Sequence, residues 1–170
     1  MELKNKKGES IMKICITKGQ GTGNTELSAF DEALHKAGIA NYNLIRLSSV
    51  IPVGSEVDFC QLTGNGKDEF GYKLYVVYAQ QRESVPGKEA WAGIGWVQAE
   101  DGRGLFVEHE GSSESEVHDL IQNSLTDMVK YRSDSFGLIQ YAIVGTKCED
   151  KPVCAFIAAV YQSESWEKGE

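Results

Sequence analysis

The sequence predicts an α+β fold in which two packed, mostly antiparallel sheets are flanked by helices. Three observations predict it. Short apolar runs of strand character recur along the chain, broken by turn dipeptides such as Pro86-Gly87 and Asp101-Gly102. Two stretches carry helical periodicity instead. Two helices cannot cover both faces of so many antiparallel strands unless the sheet folds over on itself.

In chain order, a first strand is expected over 11–17. Gly19, Gly21 and Gly23 then read as a tight, mobile connection to a helix capped near Asn24 or Thr25. Leu27, Phe30, Leu34 and Ala37 form its apolar stripe, and Gly38 is a natural stop. Asp31 falls at the edge of that stripe, where a carboxylate is partly shielded from water or pairs with His35 one turn on. A strand over 41–47 leads to Ser48 and Ser49, and 52–71, rich in polar and small residues, reads as irregular. Strands follow over 74–78, 91–98 and 105–110. Ser113-Glu114-Ser115-Glu116 is a capping box, after which Val117, Leu120, Ile121, Leu125 and Met128 trace one face of a long helix. Strands over 137–144 and 153–161 complete the sheets. The tail, 163–170, is expected to fray, with Trp166 placed to dock.

At 170 residues the chain buries a proper core as one domain spanning 1–170. Its 41% hydrophobic and 25% charged residues are ordinary for a soluble protein, and no apolar run approaches the roughly 18 residues of a membrane helix. No membrane partner is expected. Residues 1–11 are charged, lack the apolar stretch of a signal peptide, and read as a flexible extension of a cytoplasmic protein, with Met12 a second candidate start. Cys15, Cys60, Cys148 and Cys154 include no Cys-x-x-Cys pair and are expected to be reduced, buried thiols. A net charge of −8 disfavours nucleic acid and mildly favours a cationic ligand.

Several motifs lead nowhere on their own. The Gly19, Gly21, Gly23 series misses the phosphate-loop spacing, because Asn24 stands where a further glycine is needed and no Gly-Lys-Ser/Thr follows. Glu108, His109 and Glu110 are adjacent strand residues that point to alternate faces, so no metal is expected. The aromatic residues Tyr72, Tyr75, Tyr78, Trp91 and Trp96 read as packing. A Ser-Ser pair such as Ser48-Ser49 usually serves a turn or cap. It also permits self-cleavage. A serine hydroxyl held against the preceding carbonyl turns the amide into an ester, and β-elimination followed by hydrolysis leaves a pyruvoyl ketone.

What raises that second reading is its surroundings. Phe30-Asp31-Glu32-Ala33-Leu34 precedes Ala37-Gly38-Ile39-Ala40-Asn41-Tyr42-Asn43-Leu44-Ile45-Arg46-Leu47-Ser48-Ser49-Val50-Ile51-Pro52, and Val107-Glu108-His109-Glu110-Gly111 follows later. Together, from about Thr17 to Gln162, these resemble the pyruvoyl-dependent arginine decarboxylase family. The resemblance implies a four-layer αββα sandwich, assembled as a homotrimer with sites between neighbours, a dimer of trimers being one further assembly it allows. It implies cleavage between Ser48 and Ser49 into a β chain, 1–48, and an α chain, 49–170. Ser49 would become the covalent pyruvoyl cofactor in place of pyridoxal phosphate, forming an imine with L-arginine and releasing carbon dioxide and agmatine, a step towards polyamines or a proton-consuming acid response.

The same resemblance places the general acid at Glu108, whose pKa would have to be raised by a dry pocket and by Glu110 two residues along. It puts Asn43 beside the reacting centre and assigns Asp31 to the substrate guanidinium, a planar donor that suits a two-point carboxylate contact. Ala40 stands where some relatives carry glycine, and 52–71 matches poorly, which bears on the choice of amino acid. The alternatives are a pyruvoyl decarboxylase of another amino acid, an amidohydrolase with Ser49 as N-terminal nucleophile, and a trimeric binding protein that never cleaves.

Overall fold

The computed structural model describes residues 10–166 together with Gly8. The expected N-terminal extension therefore lies mostly outside the described residues, as does 167–170. The first strand, β1 (Met12–Thr22), runs longer than expected, because Gly19 and Gly21 belong to it. They are not a mobile connection. A Cβ on Gly19 would run into the carbonyl oxygen of Ala33, and one on Gly21 into that of Ala29, so the bare strand is what lets helix α1 (Glu26–Ala37) lie directly on it.

Thr25 caps α1, its side chain accepting from the Ser28 amide at 3.0 Å while Ser28 Oγ accepts from the Thr25 amide at 3.1 Å. At the other end Gly38, at φ 82, and the Ile39 amide bonded to the Leu34 carbonyl make a left-handed cap. The buried face is Ala29, Ala33, Leu34 and Ala37. Leu27, expected in the stripe, is 66% exposed, because contact with a glycine strand selects the small side chains of the helix.

Next come β2 (Asn43–Arg46), β3 (Val50–Ile51), β4 (Ser55–Phe59), β5 (Lys73–Glu83), β6 (Glu89–Gln98) and β7 (Gly104–Gly111). Helix α2 (Glu114–Val129), β8 (Gln140–Lys147) and β9 (Val153–Glu164) complete the chain. Strands β3 and β4 fall on the boundary and the interior of the stretch expected to be irregular. Both are edge strands, paired on one side only, and neither needs a continuous apolar face.

A five-stranded sheet has the order β2-β5-β9-β1-β4, with β1–β4 and β2–β5 parallel and the other pairs antiparallel. A four-stranded antiparallel sheet has the order β3-β7-β6-β8. Between the sheets lies a core that includes Ile14, Ile16, Val77, Ile94, Trp96, Phe106 and Ile157. Helix α1 covers the outer face of the first sheet through Ala33, Leu34 and Phe156, and α2 covers that of the second through Val117, Ile121 and Leu125. The four layers run helix, sheet, sheet, helix, as expected.

The box at α2 is displaced by one residue at its second half. Ser113 accepts from the Glu116 amide at 3.2 Å, but the Glu116 carboxylate accepts from the Ser112 amide at 2.7 Å. Two cysteines depart from expectation: Cys15 and Cys60 form a disulfide, with Cα atoms 5.5 Å apart. The parallel β1–β4 pairing sets Cys15 against Asp58, two residues before Cys60. Cys148 and Cys154 are free and buried. Trp166 docks, its indole N–H donating to the Gly71 carbonyl at 2.9 Å.

Candidate active site

Ser49 stands where the chain leaves one sheet for the other. Upstream, the Leu47 amide donates to the Val76 carbonyl of β5 at 2.8 Å; downstream, the Ser49 carbonyl accepts from the Phe106 amide of β7 at 2.8 Å. Turning between those two anchors puts Ser49 at φ 73, in the left-handed region. For a serine this costs on the order of 1 kcal/mol and persists only because the neighbours hold it. Ser48, on the crossing itself, is exposed.

Glu108 meets it from β7. Along that strand Leu105 and Val107 face α2, whereas Phe106 faces the core between the sheets. Glu108, two residues on, shares the inward face and lies half-buried at its rim. The Ser49 hydroxyl donates a hydrogen bond to Glu108 Oε1. The two residues, 59 apart in sequence, are thus brought together by the β3–β7 pairing of Val50 with Leu105.

A third residue completes the group and was missed in the sequence. Tyr161 of β9 is 8% exposed, packs edge-on to the Phe106 ring at 6.2 Å, and donates from its hydroxyl to the Val50 carbonyl at 2.9 Å. Burial, and secondarily the charge of Glu108, push its phenol well above the ordinary range, so it remains a donor. The available signal was a tyrosine closing the inward-facing series Ala155, Ile157, Ala159, where a buried hydroxyl needs a partner.

The other expected residues lie elsewhere within one chain. Asn43 opens β2, and its side-chain N–H donates to the Gly71 carbonyl at 2.7 Å rather than to Ser49 or Glu108. Asp31 is exposed, not shielded, and lies 3.8 Å from His35 Nε2. With Ala29, Ala33 and Ala37 seated on β1, a residue two positions from Ala29 is carried to the far side of the helix. Glu110 is exposed as well.

His109 turns the other way, its Nε2 2.7 Å from Ser124 Oγ on α2. Burial lowers its pKa, against the raising influence of Glu110 and Glu108. Among the described residues no group of three His, Cys, Asp or Glu side chains is arranged to hold a metal ion, and no helix is long and apolar enough to cross a membrane. What the cluster offers is a hydroxyl against a carboxylate, with the backbone on its C-terminal side fixed by the Phe106 amide and the Tyr161 hydroxyl.

The chain is similar to known proteins over most of its length. Residues 13–165 match the family model described as pyruvoyl-dependent arginine decarboxylase. A pyruvoyl-dependent arginine decarboxylase of Thermococcus sibiricus is 33% identical over 152 residues, covering 87% of this chain and 93% of the relative. One of Halobacterium salinarum is 36% identical over 115 residues, 67% of this chain and 71% of the relative. One of Methanococcus maripaludis is 31% identical over 154 residues, 89% and 90% of the two chains.

Proposed function

The chain belongs to the pyruvoyl-dependent arginine decarboxylase family, and from that premise we propose that it cuts itself between Ser48 and Ser49 and converts L-arginine to agmatine and carbon dioxide. The contact of the Ser49 hydroxyl with the Glu108 carboxylate carries the reading. Glu108 takes the hydroxyl proton as the oxygen adds to the Ser48 carbonyl carbon. The C–N bond then breaks and the amine takes up a proton, leaving an ester. Loss of the Ser49 α-proton with rupture of the Cβ–O bond frees Ser48 as a carboxylate. Water replaces the nitrogen of the dehydroalanine, and ammonia leaves. The sequence is redox-neutral and consumes one water. The left-handed backbone favours the first step, because strain at residue 49 is relieved when its amide is broken.

The ketone at residue 49 would supply an electron sink for the pair left by carbon dioxide. Glu108, already facing residue 49, returns a proton to the substrate α-carbon. Asp31 holds the guanidinium and Asn43 orients the reacting end. Within one chain Asn43 bonds to Gly71 and Asp31 pairs with His35 rather than with Ser49 or Glu108, so their roles go with a homotrimer whose sites lie between neighbours, and the exposure of Asp31 leaves it open to such a neighbour.

The test is the intact mass of the denatured protein after reduction, followed by a carbon dioxide assay with arginine. Fragments of about 5 and 13 kDa, the larger about 17 Da lighter than hydrolysis alone leaves it, are expected. A cut without that deficit indicates an N-terminal serine nucleophile. An uncut chain without turnover indicates a binding protein. Turnover of lysine, ornithine, histidine or aspartate in preference to arginine would move the substrate and spare the chemistry.

A further inference from the structure

Cleavage changes what holds residue 49. In the uncut chain it is restrained from both sides, through Leu47 bonded to Val76 and through its own carbonyl bonded to Phe106. Once the bond to Ser48 is gone, the Leu47 anchor belongs to a different chain. Residue 49 is then an N-terminus, held by the Phe106 amide and by whatever fixes residue 50. The strand it leads into, β3, is two residues long, at a sheet edge, and paired on one side. So short a ladder restrains a chain end poorly.

Tyr161 supplies a hold from another direction. It comes from the opposite sheet, across the core layer, and its hydroxyl ends on the Val50 carbonyl. The register of β9 against β5 slips between Tyr75 and Val76, with Gln162 opposite the first and Val160 opposite the second. Against β1 the pairing ends at Val160. Tyr161 thus has a ladder partner in neither neighbour, while its side chain keeps the inward alternation of Ala155, Ile157 and Ala159. The ring is fixed by Phe106, which also supplies the amide to the Ser49 carbonyl.

We infer that Tyr161 is a positioning residue, its hydroxyl holding the Val50 carbonyl so that the cut end at residue 49 stays against Glu108. The inference rests on the decarboxylase reading for its consequence and on the geometry alone for the hold itself. It divides the labour in time: the hydroxyl matters little while the chain is continuous and more once it is cut.

The test is Tyr161→Phe, which keeps the ring, beside Tyr161→Leu, which does not. Fragment masses, kcat and KM for arginine, and hydrogen exchange of the Val50 and Ile51 amides are measured for both. Expected for Tyr161→Phe are complete cleavage, kcat lower by about tenfold, KM within about twofold, and exchange faster by about tenfold at Val50 and Ile51, the sizes ordinary for one lost hydrogen bond. Exchange and kcat that both match wild type would overturn the inference. So would an uncut Tyr161→Phe chain, a loss confined to KM, or a defect seen only in Tyr161→Leu, which would assign the effect to ring packing. If wild-type protein neither cuts nor releases carbon dioxide, the decarboxylase reading falls, and the exchange comparison by itself decides whether Tyr161 holds residue 50.

Discussion

Ser49 and Asn65 are the two non-glycine residues, among those described, with left-handed backbone, at φ 73 and φ 48, and they are held there by opposite means. Asn65 is followed by Gly66 at φ 68, a turn for which Asn-Gly is suited. Its side-chain oxygen accepts from the Ala40 amide at 3.1 Å, and its carbonyl accepts from the Asn41 amide at 3.2 Å. The conformation itself is turn chemistry, and the two contacts from Ala40 and Asn41 are added to it. Ser49 has no such side-chain preference, and its contacts come from Glu108, from Phe106 and, through Val50, from Tyr161. One residue adopts the conformation because it suits it; the other is forced into it by strands far along the chain, with a nucleophile left facing a carboxylate.

The largest effect expected is at Ser49. Ser49→Ala keeps the strained position but removes the attacking oxygen, so cleavage and turnover should both vanish while the fold remains; an active, cut variant would end the comparison. Glu108→Gln comes next. Cleavage should slow, because the group that takes the Ser49 proton is gone, and turnover per cut protomer should fall by about 10²–10⁴, the usual range for a positioned acid or base, with arginine still retained in equilibrium dialysis. Unchanged turnover would leave Glu108 as a structural partner of the serine.

Asp31→Ala should weaken arginine binding by roughly tenfold or more, since a charge-assisted contact is lost, with a smaller change in kcat. An equal loss of histidine and arginine binding would make the residue structural instead. At Asn65 the chemistry should be untouched: Asn65→Ala should cost about 1 kcal/mol in a urea titration and Asn65→Gly much less, both with wild-type cleavage. A cleavage defect in either would erase the distinction between the two residues.

The smallest expected effect concerns pH. Burial lowers the pKa of His109 in the fold, so between that value and the unfolded value near 6.5 the unfolded chain binds more protons. Stability should decline as pH falls through that window, and less so in His109→Gln; identical urea midpoints at pH 5 and pH 7.5 in the wild type would remove this contribution.

How far the sequence could be read varied with the reach of the interaction. The caps at Thr25 and Gly38 were legible because they follow from neighbouring residues, and the Ser48-Ser49 and Glu108-His109-Glu110 motifs could be picked out for the same reason, although their contact through Ser49 and Glu108 could not. Gly19 and Gly21 misled, since a glycine marks a turn and a close backbone approach with the same letter. The face of α1 was misassigned to Leu27 because hydropathy ranks leucine above alanine, whereas contact with a bare strand ranks them by size. Cys15 and Cys60, 45 residues apart, meet only through the parallel pairing of β1 with an edge strand that carries little apolar signal. Tyr161 closes a legible inward alternation, but its partner, the Val50 carbonyl, is set by how the two sheets pack, which no local pattern encodes.

The sheet order has one more consequence. Strand β1 lies between β9 and β4, and β2 lies against β5, so every strand neighbour of the segment before Ser49 comes from the segment after it. A cut protomer is therefore a heterodimer of its own two pieces, interleaved within one sheet, for which dissociation and unfolding are one event. Melting of the reduced, cut protein should acquire the concentration dependence of an assembled pair. The Cys15–Cys60 bridge joins one piece to the other, and in the oxidised protein it removes the share of that dependence that comes from the two pieces, leaving only the share that comes from assembly of protomers.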